Sequence, residues 1–422
     1  MVDYRGAAPL NERVEFFSTE WIAAAEAELQ KIVRRHPEAL AGVDYSLSEA
    51  FSDAPPHLGA PEGRVGWTLR FSGGGVTVER RPDEAADMVV AGQYQAAMPV
   101  AQAVGPIATA RAAKLAAHLF GKKALRGRGA PPPPGLALVL RELHDHLARR
   151  TVENPDLTHR LGSQGLKRKA RELARDGYTV LENAIPHDIA DELRELSLDI
   201  MLSHKSPGSR NGRIDCMGLI SRGRAFEEIV QHPTLRSIAE SSLGGAMILQ
   251  TVSSAMKAPG PSAVPAHADY VAVPAPYPKY ALVGVAVWAL DDWTVEAGPT
   301  WIIPGSQKRR RPPEPGDNLE GGVPILMPKG SVTFFTQGVW HWQGDRTAPG
   351  ERVSLHNTYQ RPFMRQADDF SNIDAVLHRN SPVLSTLTGH DDYFGRSDYM
   401  GHDFKRSGYM SRRQRWDAQL AL

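Results

Sequence analysis

Pro131 to Pro134, followed at once by Gly135, form a run that neither a helix interior nor a central strand can contain. The chain has to break its regular structure there, and at 422 residues it exceeds what one hydrophobic core usually organises. Two domains are therefore expected: a small α+β domain over residues 1–130 and a second domain over 165–422. Between them, 131–164 reads as a proline-containing linker with a connecting helix that places Leu136, Leu140, Leu143 and Leu147 on one side.

Composition limits the partners. Lys plus Arg number 49 against 48 for Asp plus Glu, so no global field recruits nucleic acid. Cys216 is the only cysteine, which excludes an intramolecular disulfide and any cysteine-built zinc or iron-sulfur site. The stretch Met1 to Trp21 lacks the apolar core of a secretory signal, and nowhere do about 18 uninterrupted apolar residues occur. The expectation is a cytoplasmic protein with no membrane span; the sequence does not set its oligomeric state.

Trp21, Ile22, Ala25, Leu29 and Ile32 recur at helical spacing after Ser18 and Thr19, which can cap a helix from Thr19 to Val33. The period then changes to two: Val65, Trp67, Leu69 and Phe71, a turn at Gly73-Gly74-Gly75, then Val76 and Val78, a hairpin pattern. A short strand at Met88-Val89-Val90 and alanine-rich helical sequence from Gln93 to Leu119 complete the unit. Beyond the linker, a helix from Leu166 to Arg175 leads into a strand at Gly177 to Glu182, and Pro186 opens a helix with Ile189, Leu193, Leu196 and Ile200 as its stripe. From Met247 to Tyr359 short Val-, Ile-, Phe-, Trp- and Thr-rich runs alternate with Gly and Pro, the pattern of a sandwich or jelly roll. From Arg365 the sequence reads as a polar, irregular tail.

Within the β-rich segment stands His267-Ala268-Asp269. On a strand the first and third side chains share a face, so an imidazole and a carboxylate project together. With His341 they supply the ligand set of a mononuclear non-haem iron(II) site, although His-x-Asp alone is also a common hydrogen-bonded surface pair. Arg352, Ser354 and His356 alternate along a further strand. An arginine turned into a cavity needs an anion, a dicarboxylate such as 2-oxoglutarate on one reading and Glu351 or Asp345 on the other.

The ordered set Leu173-Ala174-Arg175-Asp176-Gly177-Tyr178-Thr179-Val180-Leu181-Glu182, His232-Pro233-Thr234-Leu235, His267/Asp269, Glu296 to Thr300 with Ile303 to Ser306, and His341 with Arg352 resembles the phytanoyl-CoA dioxygenase family, over about residues 165–400. The resemblance implies an α+β chain whose catalytic domain is a double-stranded β-helix (jelly roll, cupin-like) flanked by helices. It implies Fe(II) on His267, Asp269 and His341, 2-oxoglutarate as cosubstrate on Arg352, and O2 as oxidant. Ser354 is an implied helper, and Gln250 and Trp288 match cosubstrate positions, with a sheet-edge amide and a core indole as the alternatives. Gln307 departs from the histidine usual after Pro-Gly-Ser. The carboxylate of Asp269 implies oxygen transfer rather than halogenation.

Residues of about 15–130, two strands into Ala86-Asp87-Met88-Val89-Val90 and then helices ending in Gly121-Lys122-Lys123, also resemble the sterol-carrier-protein fold, a shelter for lipid or acyl chains. The expected activity is hydroxylation of a small to medium-sized, largely apolar metabolite with release of succinate and CO2; desaturation, ring formation or oxidative demethylation by the same chemistry is the alternative, and a non-catalytic lipid-binding or scaffold protein the rival. Tyr270 and His356 are the substrate-contact candidates. Lys308 to Arg311 could meet phosphates or form a solvated loop, and His390-Asp391-Asp392 and His402-Asp403 could hold a second metal or belong to a polar tail.

Overall fold

A serine cap and an apolar stripe start the first unit. Ser18 Oγ accepts the Trp21 N–H at 3.1 Å, and the helix Thr19–Arg35 buries Trp21, Ile22, Ala25, Leu29, Ile32 and Val33. The chain, a computed structural model, is described over residues 13–59, 61–203, 213–262, 264–270 and 272–390. Its contacts divide it into two compact units: residues up to Gln164 with Asp374–Ser385, and Gly165–Ile373 with the residues from Thr386.

The first unit holds a five-stranded sheet in the order Gly75–Glu79, Val65–Ser72, Tyr45–Ser52, Met88–Gln93, Leu125–Gly129. The expected hairpin is present, turned by Gly73 (φ 57°) and Gly74 (φ 77°). Sequence reading passed over Tyr45–Ser52, because Glu49 interrupts its apolar face. The alanine-rich segment divides into Tyr94–Ala101 and Pro106–Phe120, since Gly105 (φ 85°) and Pro106 start a new helix. The helix after the proline run, Pro134–Ala148, buries Leu136, Val139, Leu143 and Leu147 in the core of this unit.

In the second unit, helix Lys167–Asp176 ends at Gly177 (φ 82°). A Cβ there would lie 2.3 Å from Val339 Cγ2, so glycine alone lets the chain turn into the strand Tyr178–Leu181. A six-stranded sheet runs in the order Tyr178–Leu181, Val332–Thr336, Val283–Ala289, Arg352–Gln360, Ile248–Lys257, Arg213–Cys216. A three-stranded sheet contains Val323–Pro324, Thr300–Ile302 and His341–Gln343. One apolar cluster draws on both: Val285, Val287, Ala289 and Phe335 from the larger sheet, Ile302 from the smaller, with Trp293, Ile325, Met327 and Val339. The sheets thus face each other across a shared interior, in the manner of a jelly roll. Val287 pairs with His356 and Ala289 with Ser354, so Arg352, Ser354 and His356 project into that interior while Val353 and Leu355 face the other way.

Two expectations change. Helix His187–Ser203 buries Ala190, Leu193, Ser197 and Met201; Ile189, Leu196 and Ile200 flank this stripe rather than form it. The segment after Arg365 is not wholly irregular, since Asp374–His378 and Pro382–Leu387 are helices anchored by Val376, Leu377 and Leu384. Among the described residues no helix is long and apolar enough to cross a membrane. Asp391, Asp392, His402 and Asp403 lie outside the described residues.

Candidate metal and cosubstrate site

His267 and His341 form a single antiparallel bridge, each backbone N–H donating to the other's carbonyl at 2.9 Å, and the Asp269 N–H donates to Gln337 O at 3.0 Å. The triplet therefore holds one bridge rather than the full strand its spacing suggests. Pro265 has no N–H to extend the ladder, and the turn closed by Val339 N–H onto Thr336 O carries the partner backbone away. The side-chain consequence survives: donor atoms of His267, Asp269 and His341 lie within 4.8 Å of one another.

Asp269 joins the two rings, with Oδ1 3.2 Å from His267 Nε2 and Oδ2 3.6 Å from His341 Nε2. Each Nδ1 faces a carbonyl two residues upstream, Pro265 O at 2.9 Å and Val339 O at 3.0 Å. A carbonyl only accepts, so Nδ1 carries the proton in both rings; at His267, burial opposes the charged ring but the Asp269 carboxylate facing Nε2 outweighs it and raises that imidazole above its ordinary range. Burial depresses the His341 imidazole, keeping it neutral. The burial of Asp269 opposes its ionisation, but His341 and His267 outweigh that and hold it below the ordinary carboxyl range. Two imidazoles whose Nδ1 atoms are held by backbone carbonyls, together with one carboxylate, are a donor set that suits a divalent transition metal.

Arg352 begins the strand Arg352–Gln360 and is only 4% exposed. Its Nη1 donates to Gly298 O, its guanidinium lies 4.5 Å from the centroid of Trp293, and its Nε has no hydrogen-bond partner among the described residues. Burial, with Arg213 and Arg346 nearby, pushes it down to about 9, still cationic at neutral pH. The acids that could have made it a structural ion pair are committed elsewhere. Glu351 meets Arg194 at 2.9 Å, and Asp345 Oδ1 accepts the Ser262 N–H at 2.7 Å. Asp291 is near enough to favour the charge but pairs with Arg194, so among the described residues no carboxylate pairs with this buried cation, which suits an anionic ligand.

The model of the phytanoyl-CoA dioxygenase family matches residues 173–353, which contain the triad and Arg352. Those residues are a phytanoyl-CoA dioxygenase domain. The family consists of iron(II)- and 2-oxoglutarate-dependent non-haem oxygenases, and the donor set above fits that requirement. Among relatives, a dioxygenase of Aspergillus fumigatus is 29% identical over 149 residues, 35% of this chain and 48% of that protein. An uncharacterised protein of Mycobacterium tuberculosis is 29% identical over 105 residues, 24% of this chain and 38% of that protein. The chain thus spans about half the length, or less, of the curated relatives it matches.

Two solved structures are similar at a TM-score of 0.40. One is the non-haem α-ketoglutarate-dependent epimerase SnoN from nogalamycin biosynthesis, at 20% identity over 50% of this chain and 89% of that one. The other is HygX from Streptomyces hygroscopicus with nickel and 2-oxoglutarate bound, at 13% identity over 47% and 89%.

The remaining candidates fall at different places in the dioxygenase domain. Ser354 Oγ lies 3.0 Å from His356 Nε2, both on the inner face with Arg352. Burial, then Arg213, takes His356 down to about 4, so it is neutral at physiological pH. Trp288 pairs with Leu355, on the opposite face of the sheet from Arg352, and its ring meets His232 edge-on at 5.2 Å. The indole at the arginine is Trp293, a residue sequence reading passed over. Gln250 sits at the bulge in Ile248–Lys257, its carbonyl accepting from Ala367 and Asp368, at the far end of the strand from Lys257, which pairs with Arg352. Tyr270 turns away from Asp269: its hydroxyl accepts the Leu282 N–H at 2.8 Å, and its ring lines a cavity of about 260 Å³ with Tyr277, Tyr280 and Gln307. None of the triad lines that cavity. Arg309 and Arg311 of the basic run stack over Trp340 at 4.3 and 5.0 Å, and Arg311 pairs with Asp317 at 2.7 Å.

Gln343 was not singled out. It follows His341 by two residues and is buried on the same inward-facing side of its strand. The signal was its spacing from the histidine.

Proposed function

We propose that this chain hydroxylates a C–H bond of a small to medium-sized, largely apolar metabolite, using Fe(II), 2-oxoglutarate and O2 and releasing succinate and CO2. The carrying observation is the convergence of His267, Asp269 and His341 in one interior with a buried Arg352 that pairs with no carboxylate among the described residues. When bound, iron with 2-oxoglutarate and O2 supplies the oxidising chemistry.

The residues supply position. His267, Asp269 and His341 would hold the metal, and the Pro265 and Val339 carbonyls fix the ring orientations. Arg352 would anchor the distal carboxylate of 2-oxoglutarate, itself held by Gly298 O and the Trp293 face. Ser354 and His356 present a neutral polar pair beside it, available to orient cosubstrate or substrate. The full carboxylate of Asp269 supports oxygen transfer over halogenation. We further propose a division of labour in which the first unit, with the helix Pro134–Ala148 as part of its core rather than a connector, is a substrate-sheltering module and the second unit carries the chemistry.

Anaerobic addition of Fe(II) and 2-oxoglutarate to the apo-protein should give a weak visible charge-transfer band; no band would sink the assignment. A metabolite-pool screen that follows succinate should then yield a product heavier by one oxygen. A product lighter by two hydrogens would replace hydroxylation with desaturation or ring closure.

A further inference from the structure

The inner face of the larger sheet carries a row of three cations. In register, Lys257 stands opposite Arg352 on one side and opposite Arg213 on the other, so the three side chains leave the same face of adjacent strands. Directly opposed residues have Cβ atoms roughly 4.5–5.5 Å apart, within which lysine and arginine head groups reach common ground.

Lys257 is 3% exposed and Arg352 4%. The acids around them are engaged: Asp215 pairs with Arg213 at 2.7 Å, Asp291 with Arg194 at 2.8 Å, and Glu351 with Arg194 at 2.9 Å. Asp345 is near enough to favour the Lys257 charge without pairing with it, while its neighbour Arg346 spends its guanidinium on the carbonyls of Gly350, Ala297 and Pro349. Two buried like charges side by side cost stability unless an anion lies between them. Burial first, and then Arg352, depresses the Lys257 ammonium, the direction that crowding of this kind produces.

We infer that Lys257 is a second cosubstrate-positioning residue, sharing the distal carboxylate of 2-oxoglutarate with Arg352. The inference rests on the 2-oxoglutarate reading above and adds to it a residue on a different strand. It gives the carboxylate two cationic partners, one forked and one a point charge. It also makes the protein without cosubstrate pay a repulsion that cosubstrate relieves.

The test compares wild type with Lys257→Met, which keeps the length and removes the charge. Two ligands are titrated anaerobically into the Fe(II)-loaded proteins by calorimetry: 2-oxoglutarate, and 2-oxopentanoate, which lacks the distal carboxylate. The expected result is a Kd for 2-oxoglutarate raised about 10- to 50-fold, a loss of one charge-assisted contact, with 2-oxopentanoate binding within about twofold of wild type. Without ligand, K257M should melt about 2 °C higher because a like-charge pair is gone. Lys257→Arg should bring 2-oxoglutarate affinity back to within a few-fold.

Equal weakening of both ligands would overturn the inference, since it marks a merely structural role. Unchanged 2-oxoglutarate affinity would also overturn it, and if substrate KM rose instead, the lysine would belong to an anionic substrate. Wild type that binds 2-oxoglutarate in none of these titrations would sink the proposed function itself, whereas wild type that binds and K257M that binds equally well would sink only the role of Lys257. Should the methionine variant be insoluble, Lys257→Gln gives the same paired titrations.

Discussion

The two units each turn one face of a sheet inward, and the contents of those faces differ. In the first, Tyr45, Leu47, Glu49 and Phe51 stand opposite Phe71, Leu69, Trp67 and Val65. Phe16, Phe17 and Trp21 pack against them, with Trp21 and Trp67 ring centroids 5.1 Å apart. In the second, Arg213, Lys257, Arg352, Ser354 and His356 occupy the corresponding inward positions. An aromatic face satisfies itself by packing. A face that buries cations is stable only with something to neutralise them, so the second face is organised around ligands and the first around its own core.

The sharpest break between the two faces should come at the metal site. Asp269→Ala removes the carboxylate that joins both histidines, and succinate formation should fall by about a thousandfold or more, beyond the 10- to 100-fold typical of losing an outer partner. The apo-protein should still melt cooperatively. Turnover within tenfold of wild type would show that the triad is not the ligand set. On the other face Trp67→Ala empties a buried aromatic site that is 3% exposed. It should cost about 3–5 kcal/mol in denaturant unfolding of the first unit, and a loss below about 1 kcal/mol would mean that this face is not a packed core. Arg352→Met comes next: 2-oxoglutarate affinity should drop about 100-fold, near 2.7 kcal/mol, with a smaller loss of apo-stability, since it leaves the Gly298 carbonyl unmet but unpairs no carboxylate among the described residues. An unfolded Arg352→Met protein would instead make Arg352 a structural residue like Trp67.

How much of this was legible in the sequence follows from how local each feature is. The His267/Asp269 pair and the Arg352-Ser354-His356 alternation depend only on spacing along one segment, and the structure places each set together. Lys257 and Trp293 gain their meaning from pairing that the segment itself does not encode: Lys257 from its register against Arg352, Trp293 from a turn that lays its indole on the guanidinium. Trp288 shows the same limit in reverse. An all-apolar strand such as Val283–Ala289 has no alternation to say which parity faces inward, and only its pairing with Ser354 and Leu355 decides that Ala289 does and Trp288 does not. The strand Tyr45–Ser52 was missed because a charged residue, Glu49, stands where its apolar parity called for a hydrophobe.

Among the described residues Glu49 is the one acid on the aromatic face, and it gives the smallest test of the comparison. Trp67 Nε1–H donates to its carboxylate at 2.9 Å. Burial raises its pKa, and the indole hydrogen bond only partly offsets this. A carboxyl raised in the folded state binds its proton more tightly there than in the unfolded chain, so stability falls as pH rises from the ordinary carboxyl range through the folded value. Glu49→Gln keeps a hydrogen-bond acceptor for the indole without the buried charge. The variant should therefore unfold at slightly higher denaturant than wild type at pH 7, and the difference should close as the pH is lowered toward 4, where the wild-type carboxyl is itself neutral. If the variant is instead the less stable protein at pH 7, the carboxylate-indole contact outweighs the burial, and the first face, like the second, is built around a charge.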